Sequence, residues 1–215
     1  MKRRLVFVLC LALMLAMVSA PTLAQDKKVV TVSYTQEPST LNPLYITQWF
    51  AANVADMLLT PPWFIDDKLQ AVPVQVTEIP TTENGGVSTD GTVLTMKLRD
   101  DIKWSDGEPI TSADYVFTYE MIMLDKNTVS SRYPWDTKVK SVTAPDATTV
   151  VITFNEPFAP WLTTLFTASP AMPEHTLRPI VDKDGSLDAA EWNRTLDPGS
   201  GAFKLSQWES GSFLS

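Results

Sequence analysis

The feature that most constrains this 215-residue chain is a helix start at Thr111-Ser112-Ala113-Asp114. A threonine followed three residues later by an acidic residue is typical of a capping box, in which each side chain hydrogen-bonds the other residue's backbone N–H. The charge of Asp114 also suits the positive end of the helix dipole. Apolar residues then recur until about Asp125, which predicts a helix with one buried face. The residues predicted to lie largely in the core are Val116, Phe117, Tyr119, Met121, Ile122 and Leu124.

Extended segments lie on both sides of this helix. Residues 92–98 alternate, which predicts a strand whose buried face carries Leu94, Met96 and Leu98. Further strands are predicted at residues 29–34, 63–65, 72–76, 139–144, 149–154 and 202–208. Further helices are predicted at residues 48–59, 160–167 and 187–192. The pattern therefore predicts a mixture of short helices and strands.

The N-terminus has the three parts of a secretory signal peptide: Lys2-Arg3-Arg4, an apolar run over residues 5–18, and small residues up to Ala24. The run is shorter than the roughly 20 residues of a transmembrane helix, so we expect cleavage after Ala24 and no membrane span. Cys10 is the only cysteine, and it lies inside the run, whereas a lipoprotein cysteine would follow the run. We therefore expect an exported protein with no lipid anchor and no disulfide.

Charge and histidine content argue against several classes of function. The formal net charge is −8, and the signal peptide holds basic residues only, so the exported part is more acidic still. A polyanion such as nucleic acid would be repelled. His175 is the only histidine, and the sequence has neither G-x-S-x-G nor S-x-x-K. We therefore expect no enzyme, no metal site and no cofactor.

Four stretches carry a family resemblance. Residues 98–120, LRDDIKWSDGEPITSADYVFTYE, closely resemble the signature of the extracellular solute-binding proteins that include oligopeptide, dipeptide and nickel receptors. Residues 37–43, EPSTLNP, resemble an early loop of that family, with Asn42 where Asp is commoner. Residues 145–152 are similar to its hairpin, and residues 197–211 to its glycine-rich return strand. By these motifs the chain is identified as a member of the peptide/nickel family.

The resemblance implies an α/β fold, that of a periplasmic-binding-protein-like receptor whose two lobes close on a ligand, with an extra subdomain inserted early. It assigns residues 25–60 to the first lobe, residues 61–180 to the inserted subdomain, and residues 181–215 to the return into the first lobe. The second lobe would follow Ser215. We therefore expect a truncated chain, with part of the first lobe plus the extra subdomain and without the second lobe.

The function implied by the resemblance is that of the extracytoplasmic substrate-binding component of an ABC importer. Such a protein captures a short peptide or a related solute and delivers it to permease subunits in the membrane. Relatives also take nickel chelates, sugars and opines, so the ligand stays open. Three alternatives stay open as well: a truncated remnant without function, a secreted hydrolase, and a sensor or chaperone-like protein with the same fold.

The first group of candidate ligand-binding residues follows the early loop. In the oligopeptide receptor this stretch pairs with the ligand backbone like an added strand, and it corresponds to residues 44–49 here. The resemblance therefore makes Tyr45, Thr47, Gln48 and Trp49 candidates for ligand binding. The structural alternative is that Trp49 is the first buried residue of the next helix.

The second group is Tyr133 and Trp135, which fall where the extra subdomain approaches the cleft in relatives. Aromatic side chains beside a proline are suited to form a wall for a ligand. The structural alternative is that they pack the core of the subdomain. Three other tryptophans lie inside structural motifs, so Trp104, Trp161 and Trp208 are predicted to be core residues.

Overall fold

The computed structural model describes residues 28–215, so the predicted signal peptide and Cys10 lie outside the described residues. Residues 28–34 belong to one unit and Thr35–Ser215 to a second one. The helices are α1 (Trp49–Leu58), α2 (Ser112–Met123), α3 (Trp135–Lys138), α4 (Trp161–Thr164), α5 (Glu174–Asp184) and α6 (Trp192–Thr195). The strands are β1 (Trp63–Ile65), β2 (Ala71–Pro73), β3 (Val93–Lys97), β4 (Val139–Asp146), β5 (Thr149–Phe154), β6 (Trp208–Glu209) and β7 (Phe213–Leu214). Within residues 28–215, no helix has the length and apolarity needed to cross a membrane.

The largest sheet is antiparallel, with the strand order β3-β5-β4. Leu94 lies opposite Ile152, and Ile152 lies opposite Val142, so the inward side chains of the three strands form one apolar row. Leu94, Met96 and Leu98 are buried, as their alternation predicts. The strands predicted at residues 92–98, 139–144 and 149–154 are therefore confirmed.

Helix α2 begins with the predicted capping box. The backbone N–H of Thr111 donates to Oδ2 of Asp114 at 2.8 Å, and the backbone N–H of Glu174 donates to Oδ1 at 2.9 Å. One carboxylate therefore accepts hydrogen bonds at the start of both α2 and α5. Burial is the largest influence on Asp114 and raises its pKa, although these two hydrogen bonds act in the opposite direction.

The buried face of α2 is broader than predicted. Phe117, Met121 and Ile122 are buried, as is Tyr115, whose hydroxyl donates to Oε1 of Gln75 at 2.6 Å. The other predicted core positions, Val116, Tyr119 and Leu124, are half-buried and pack against the edge of the core. A buried polar side chain needs a hydrogen-bonding partner, and Tyr115 finds one in a distant segment that its local pattern does not indicate.

One hydrophobic cluster includes residues from each of the three predicted domain segments, among them Leu58, Phe117 and Leu187. The prediction that three tryptophans are core residues is correct only in part. Trp104 is buried, whereas Trp161 and Trp208 are half-buried at the edge of the cluster. The domain boundaries at residues 60 and 180 stay predictions.

The strand predicted at residues 29–34 is wrong. The structure assigns no strand there, and Val29, Val30 and Val32 are exposed. Alternating β-branched residues favour an extended backbone, but a strand also needs a neighbour with which to form a ladder. No ladder of the described residues includes this segment.

The strand predicted at residues 202–208 is also wrong over most of its length, because β6 begins only at Trp208. The glycine-rich segment before it lies directly on the last turn of α1. The backbone N–H of Gly201 donates to the carbonyl oxygen of Leu58 at 2.8 Å, and that of Phe203 to Met57 at 3.1 Å. A Cβ at Gly201 would collide with this backbone, so the position requires glycine.

Two further helix predictions are corrected in their bounds. The helix predicted at residues 160–167 is reduced to α4, and the helix predicted at residues 187–192 is displaced to α6. The helix predicted at residues 48–59 is confirmed as α1. Its buried residues are Phe50, Ala51, Ala55 and Leu58.

Candidate functional site

The early loop (residues 37–43) is held by buried hydrogen bonds. Asn42 is fully buried, and its Oδ1 accepts from the backbone N–H of Leu44 at 3.0 Å. Its Nδ2 donates to Oδ1 of Asn193 at 2.7 Å. Its carbonyl oxygen accepts from the N–H groups of Tyr45 at 3.0 Å and Ile46 at 3.2 Å. One side chain and its backbone therefore determine the start of the next segment.

The ligand stretch, residues 44–49, begins as a turn and becomes extended before α1 starts. Leu44 is buried, and its carbonyl oxygen accepts from the N–H of Ser130 at 2.8 Å and from its hydroxyl at 3.1 Å. Gln48, directly before α1, has extended backbone angles, φ −113° and ψ 123°. Because the N–H groups of residues 44–46 donate within the loop, they are not available for the predicted pairing with a ligand. The part of the stretch that remains before α1 is Thr47 and Gln48, of which Gln48 has the extended backbone angles given above.

Three of the candidate side chains differ in what they can offer a ligand. Thr47 is exposed. Gln48 is engaged inside the protein, since its Oε1 accepts from the backbone N–H of Ser39 at 3.1 Å. Trp49 is 70% exposed, so the alternative that it is the first buried residue of the helix is wrong. Phe50 occupies the buried position instead, with its ring at 5.9 Å from that of Trp49.

The second pair of candidates is divided between surface and core. Tyr133 is 60% exposed. Trp135 is 2% exposed and packs against the rings of Phe166 at 4.9 Å and Tyr119 at 5.8 Å. Trp135 is thus a core residue, in agreement with the alternative that it packs the core of the subdomain. The prediction that it binds ligand is therefore wrong. The contact between Leu44 and Ser130 brings the loop of Tyr133 next to the ligand stretch in the fold.

A pocket of about 460 Å³ opens beside Tyr45. Its charged lining residues are Asp188, Glu191 and Arg194. Burial and then the neighbouring carboxylate of Asp188 raise the pKa of Tyr45, so its hydroxyl stays protonated. Burial acts to raise the pKa of Asp188, but hydrogen bonds from the N–H and hydroxyl of Thr128 outweigh it and leave that pKa below its usual value. The pocket therefore presents an ionised carboxylate beside a neutral phenol.

The charged residues of this pocket were not predicted from the sequence. They lie more than 140 residues beyond Tyr45 in the chain, in a segment that was predicted only as a short helix. No local motif marks Asp188, Glu191 or Arg194 as lining residues. The hydrogen bonds that join Thr40, Leu41 and Asn42 to Asn193 bring the two segments together.

The other end of the early loop is attached to the β6–β7 hairpin. The carboxylate of Glu37 accepts from Nε1 of Trp208 at 2.5 Å, from the hydroxyl of Ser210 at 2.9 Å and from the N–H of Gly211 at 2.8 Å. The bonds from Trp208, Gly211 and Ser210, in that order, lower the pKa of Glu37. The guanidinium of Arg194 lies 4.0 Å from the centre of the Trp208 ring, a cation–π contact.

His175 contacts a carboxylate outside this site. Its Nε2 lies 2.8 Å from Oδ2 of Asp106. In the part of the chain that the structure describes, there is no group of three or more His, Cys, Asp or Glu side chains that could hold a metal ion. The described residues thus offer a polar and aromatic surface around the ligand stretch, and this kind of surface suits binding.

Residues 40–215 match the family described as bacterial extracellular solute-binding proteins, family 5 Middle. Among curated relatives, the oligopeptide-binding protein AppA of Bacillus subtilis is 28% identical over 180 residues, which are 83% of this chain and 31% of AppA. A putative ABC transporter peptide-binding protein of Brucella ovis is 31% identical over 175 residues, which are 80% of this chain and 31% of that protein. The chain thus spans about a third of the length of the curated relatives it matches.

Solved structures show the same fold. The structure of AppA from Bacillus subtilis in complex with a nonapeptide superposes with a TM-score of 0.70 at 24% identity, over 84% of this chain and 34% of AppA. The crystal structure of NikZ from Campylobacter jejuni in complex with Ni(L-His) gives a TM-score of 0.68 at 23% identity, over 83% of this chain and 33% of NikZ. The described residues therefore have the α/β fold of about a third of a periplasmic binding protein.

Proposed function

This chain belongs to the bacterial extracellular solute-binding proteins of family 5, and from that premise we propose that it is the extracytoplasmic substrate-binding component of an ABC importer. It captures short peptides or a related small solute and delivers them to permease subunits in the membrane. Two relatives, an oligopeptide-binding protein and a putative ABC transporter peptide-binding protein, support this assignment. Solute binding is what unites the family, and the chemistry of the described residues agrees with binding.

The single observation that carries the proposal is the exposure of Trp49 on a backbone that is fixed by buried neighbours. Leu44, at the start of the ligand stretch, and Phe50, directly after its end, are both buried. An exposed tryptophan on a well-fixed backbone offers a large contact area at a small cost in conformational entropy, and such residues dominate binding sites. Together with Trp49 we assign Tyr45, Thr47, Gln48 and Tyr133 to the ligand surface. The extended backbone at Gln48 is positioned to lie along a ligand backbone.

The domain division belongs to the same proposal. Residues 25–60 and 181–215 form the part of the first lobe present here, and residues 61–180 form the inserted subdomain. The hydrogen bonds from the early loop to Asn193 and from Gly201 to Leu58 support the joining of the two outer segments. Capture then proceeds by closure of a second lobe on the ligand, a hinge motion that the ligand favours because it binds the closed state more tightly.

We also place the protein outside the cytoplasm, exported through a signal peptide that ends at Ala24 and not spanning the membrane afterwards. The order of basic, apolar and small residues over residues 2–24 supports export. The family is one of extracellular proteins. Recovery of a mature protein that begins at Gln25, from an extracytoplasmic fraction without detergent, is the expected result of N-terminal sequencing.

Uptake measurements test the proposed function. Disruption of the gene in the source cell is expected to lower the uptake of labelled di- to pentapeptides, and the wild-type gene is expected to restore it. Trp49→Ala should restore less, because the main contact surface is removed. Phe64→Ala, which truncates another exposed aromatic residue, in β1 and outside the ligand stretch, is the matched control and should restore fully. Peptide uptake that does not change on disruption would exclude peptide import as the function.

A further inference from the structure

The early loop depends on two buried amide side chains. We propose that Asn42 and Asn193 form an amide lock that positions the ligand stretch, and that the lock requires a hydrogen-bond donor at position 42. Both residues are then positioning residues, since neither is assigned to the ligand surface. The inference rests on the proposed function for the role of the ligand stretch, while the lock itself rests on geometry.

The orientation of the Asn42 amide follows from its neighbours. One end of the amide faces the backbone N–H of Leu44 at 3.0 Å, and an N–H can only donate. That end is therefore the oxygen Oδ1. The other end, Nδ2, must then face Asn193 at 2.7 Å.

The orientation of the Asn193 amide follows in the same way. Its Nδ2 lies 2.7 Å from the carbonyl oxygen of Leu187 and 3.2 Å from that of Asp188, and a carbonyl oxygen can only accept. The end that faces Asn42 is therefore Oδ1, an acceptor. Neither amide can turn over without placing two donors or two acceptors together in a buried position.

The lock leads directly to the ligand stretch. The backbone carbonyl oxygen of Asn193 accepts from the N–H of Leu41 at 2.8 Å and from the hydroxyl of Thr40 at 3.1 Å. From Asn42, hydrogen bonds continue to the N–H groups of Leu44, Tyr45 and Ile46. A continuous set of hydrogen bonds therefore joins the start of α6 to the backbone before Trp49.

This geometry distinguishes asparagine at position 42 from ionised aspartate, although the two side chains have nearly the same shape. An ionised aspartate there would face the oxygen of Asn193 with no proton to donate, and it would do so where no solvent reaches, since Asn42 is 0% exposed. An unpaired charge in such a place is strongly unfavourable. A protonated aspartic acid has the same shape and can donate its O–H to Asn193, so the lock should form again at acid pH.

Amide hydrogen exchange of the 215-residue chain tests the lock without any ligand. In Asn42→Asp at pH 7, the amides of residues 44–46 should exchange at least about tenfold faster than in the wild type at the same pH, relative to the amides of α2 as internal reference. At pH 4.5 the difference should fall to about twofold or less. The sign follows because burial raises the pKa of an introduced carboxyl above its unfolded value, so the folded state is penalised only as pH rises.

Two variants serve as controls. Gln75→Glu places a carboxylate at another buried amide side chain, whose Oε1 accepts from the hydroxyl of Tyr115 and which forms no hydrogen bond with the lock. In this variant the amide exchange of residues 44–46, measured relative to the amides of α2, should not be faster than in the wild type. Thr40→Val removes only the neighbouring hydroxyl and should give a small acceleration, about threefold, that does not depend on pH.

Each outcome decides the proposal. Faster exchange of residues 44–46 in Asn42→Asp at pH 7 with recovery at pH 4.5 supports it, and so does a variant that folds only at the lower pH. Wild-type exchange at pH 7, the same acceleration at both pH values, or failure to fold at both would overturn the requirement for a donor.

A second measurement tests the positioning role. In an NMR titration with a mixture of di- to pentapeptides, the shift changes at residues 46–49 should be smaller in Asn42→Asp at pH 7 than in the wild type and should return at pH 4.5. Unaltered shift changes in this variant would reject the positioning role. If the wild type does not respond to the peptides while the exchange result holds, the proposed function fails and the lock stands.

Discussion

Two regions of this molecule are built in different ways. The β3–β5–β4 sheet and α2 form from contiguous stretches with clear periodicity, and their side chains interlock in one apolar cluster. The region around the early loop has little regular structure and is held by polar contacts between residues about 150 positions apart, such as Asn42 and Asn193. The first region depends mainly on buried area, whereas the second combines buried apolar residues such as Leu41 and Leu187 with matched donors and acceptors. Stability should therefore reside mainly in the first region and ligand geometry in the second.

The largest expected effect lies in the first region. Phe117→Ala should lower the free energy of unfolding by about 3–5 kcal/mol, because the ring is fully buried and its removal leaves a cavity. In the wild type the guanidinium of Arg178 lies 4.6 Å from the centre of the Phe117 ring, and this contact is lost as well. Urea denaturation would measure the loss. A loss below about 1 kcal/mol would show that this region is not the stable one.

Limited proteolysis tests the proposed domain division between the same two regions. A resistant fragment within roughly residues 60–180 is expected, with early cleavage after Gly185. The physical reason is that α2 and the β3–β5–β4 sheet share an apolar core, whereas after Gly185 the regular structure is limited to the short helix α6 and the two-residue strands β6 and β7. Resistance through Trp208 would contradict the division.

The sequence allowed the first region to be predicted almost completely. The alternation of Leu94, Met96 and Leu98 and the capping pair of Thr111 and Asp114 are local signals with a local cause, and the structure confirms them. Tyr115 shows the limit, since its partner Gln75 lies 40 positions away.

The second region was identified by its motif but its geometry was not predictable. The turn at residues 43–45 follows from Asn42, and the charged lining of the pocket follows from the contact with Asn193, which no periodicity indicates. The segment at residues 202–207 has strand-like composition, yet its path is determined by the close approach of Gly201 to α1. Long-range hydrogen bonds and backbone contacts leave no local pattern in a single sequence.

A pH titration of stability sharpens the comparison in the first region. The folded-state pKa of Asp114 is raised, chiefly by burial, so its favourable contribution is present below the unfolded pKa of about 3.9 and is lost as pH rises through the folded value. Relative to Asp114→Asn, which cannot ionise, the wild type should lose stability as pH rises above the unfolded pKa of about 3.9. Thermal melts of both proteins on either side of this pH would measure the change, and parallel curves would rule out the effect.

Glu37 in the second region should respond with the opposite sign. Its folded-state pKa is lowered by the bonds from Trp208, Gly211 and Ser210, so its contribution is present above the unfolded pKa and is lost as pH falls through the folded value. The effect should be local because the carboxylate is exposed. Below about pH 4, amide exchange of Gly211 should accelerate in the wild type relative to Glu37→Gln. The same pH dependence in both proteins would show that Glu37 does not hold the hairpin.

The smallest effect on stability is expected at Trp49, the residue proposed to contribute most to ligand contact. Trp49→Ala should change the free energy of unfolding by no more than about 0.5 kcal/mol, because the side chain is 70% exposed and the buried position beside it is filled by Phe50. The free energy of unfolding would be measured by urea denaturation.

Trp49→Ala should have a clear effect on peptide binding. The chain spans about a third of its relatives' length, and the proposed capture needs closure of a second lobe. Calorimetry of the 215-residue chain should therefore show no saturable isotherm at micromolar peptide. At millimolar peptide, NMR shift changes should appear at residues 46–49 and at Tyr133, and Trp49→Ala should reduce them while Phe64→Ala leaves them intact. A stability loss above about 2 kcal/mol with unaltered shift changes would reverse the comparison, since it would make Trp49 a structural residue and leave the ligand surface elsewhere.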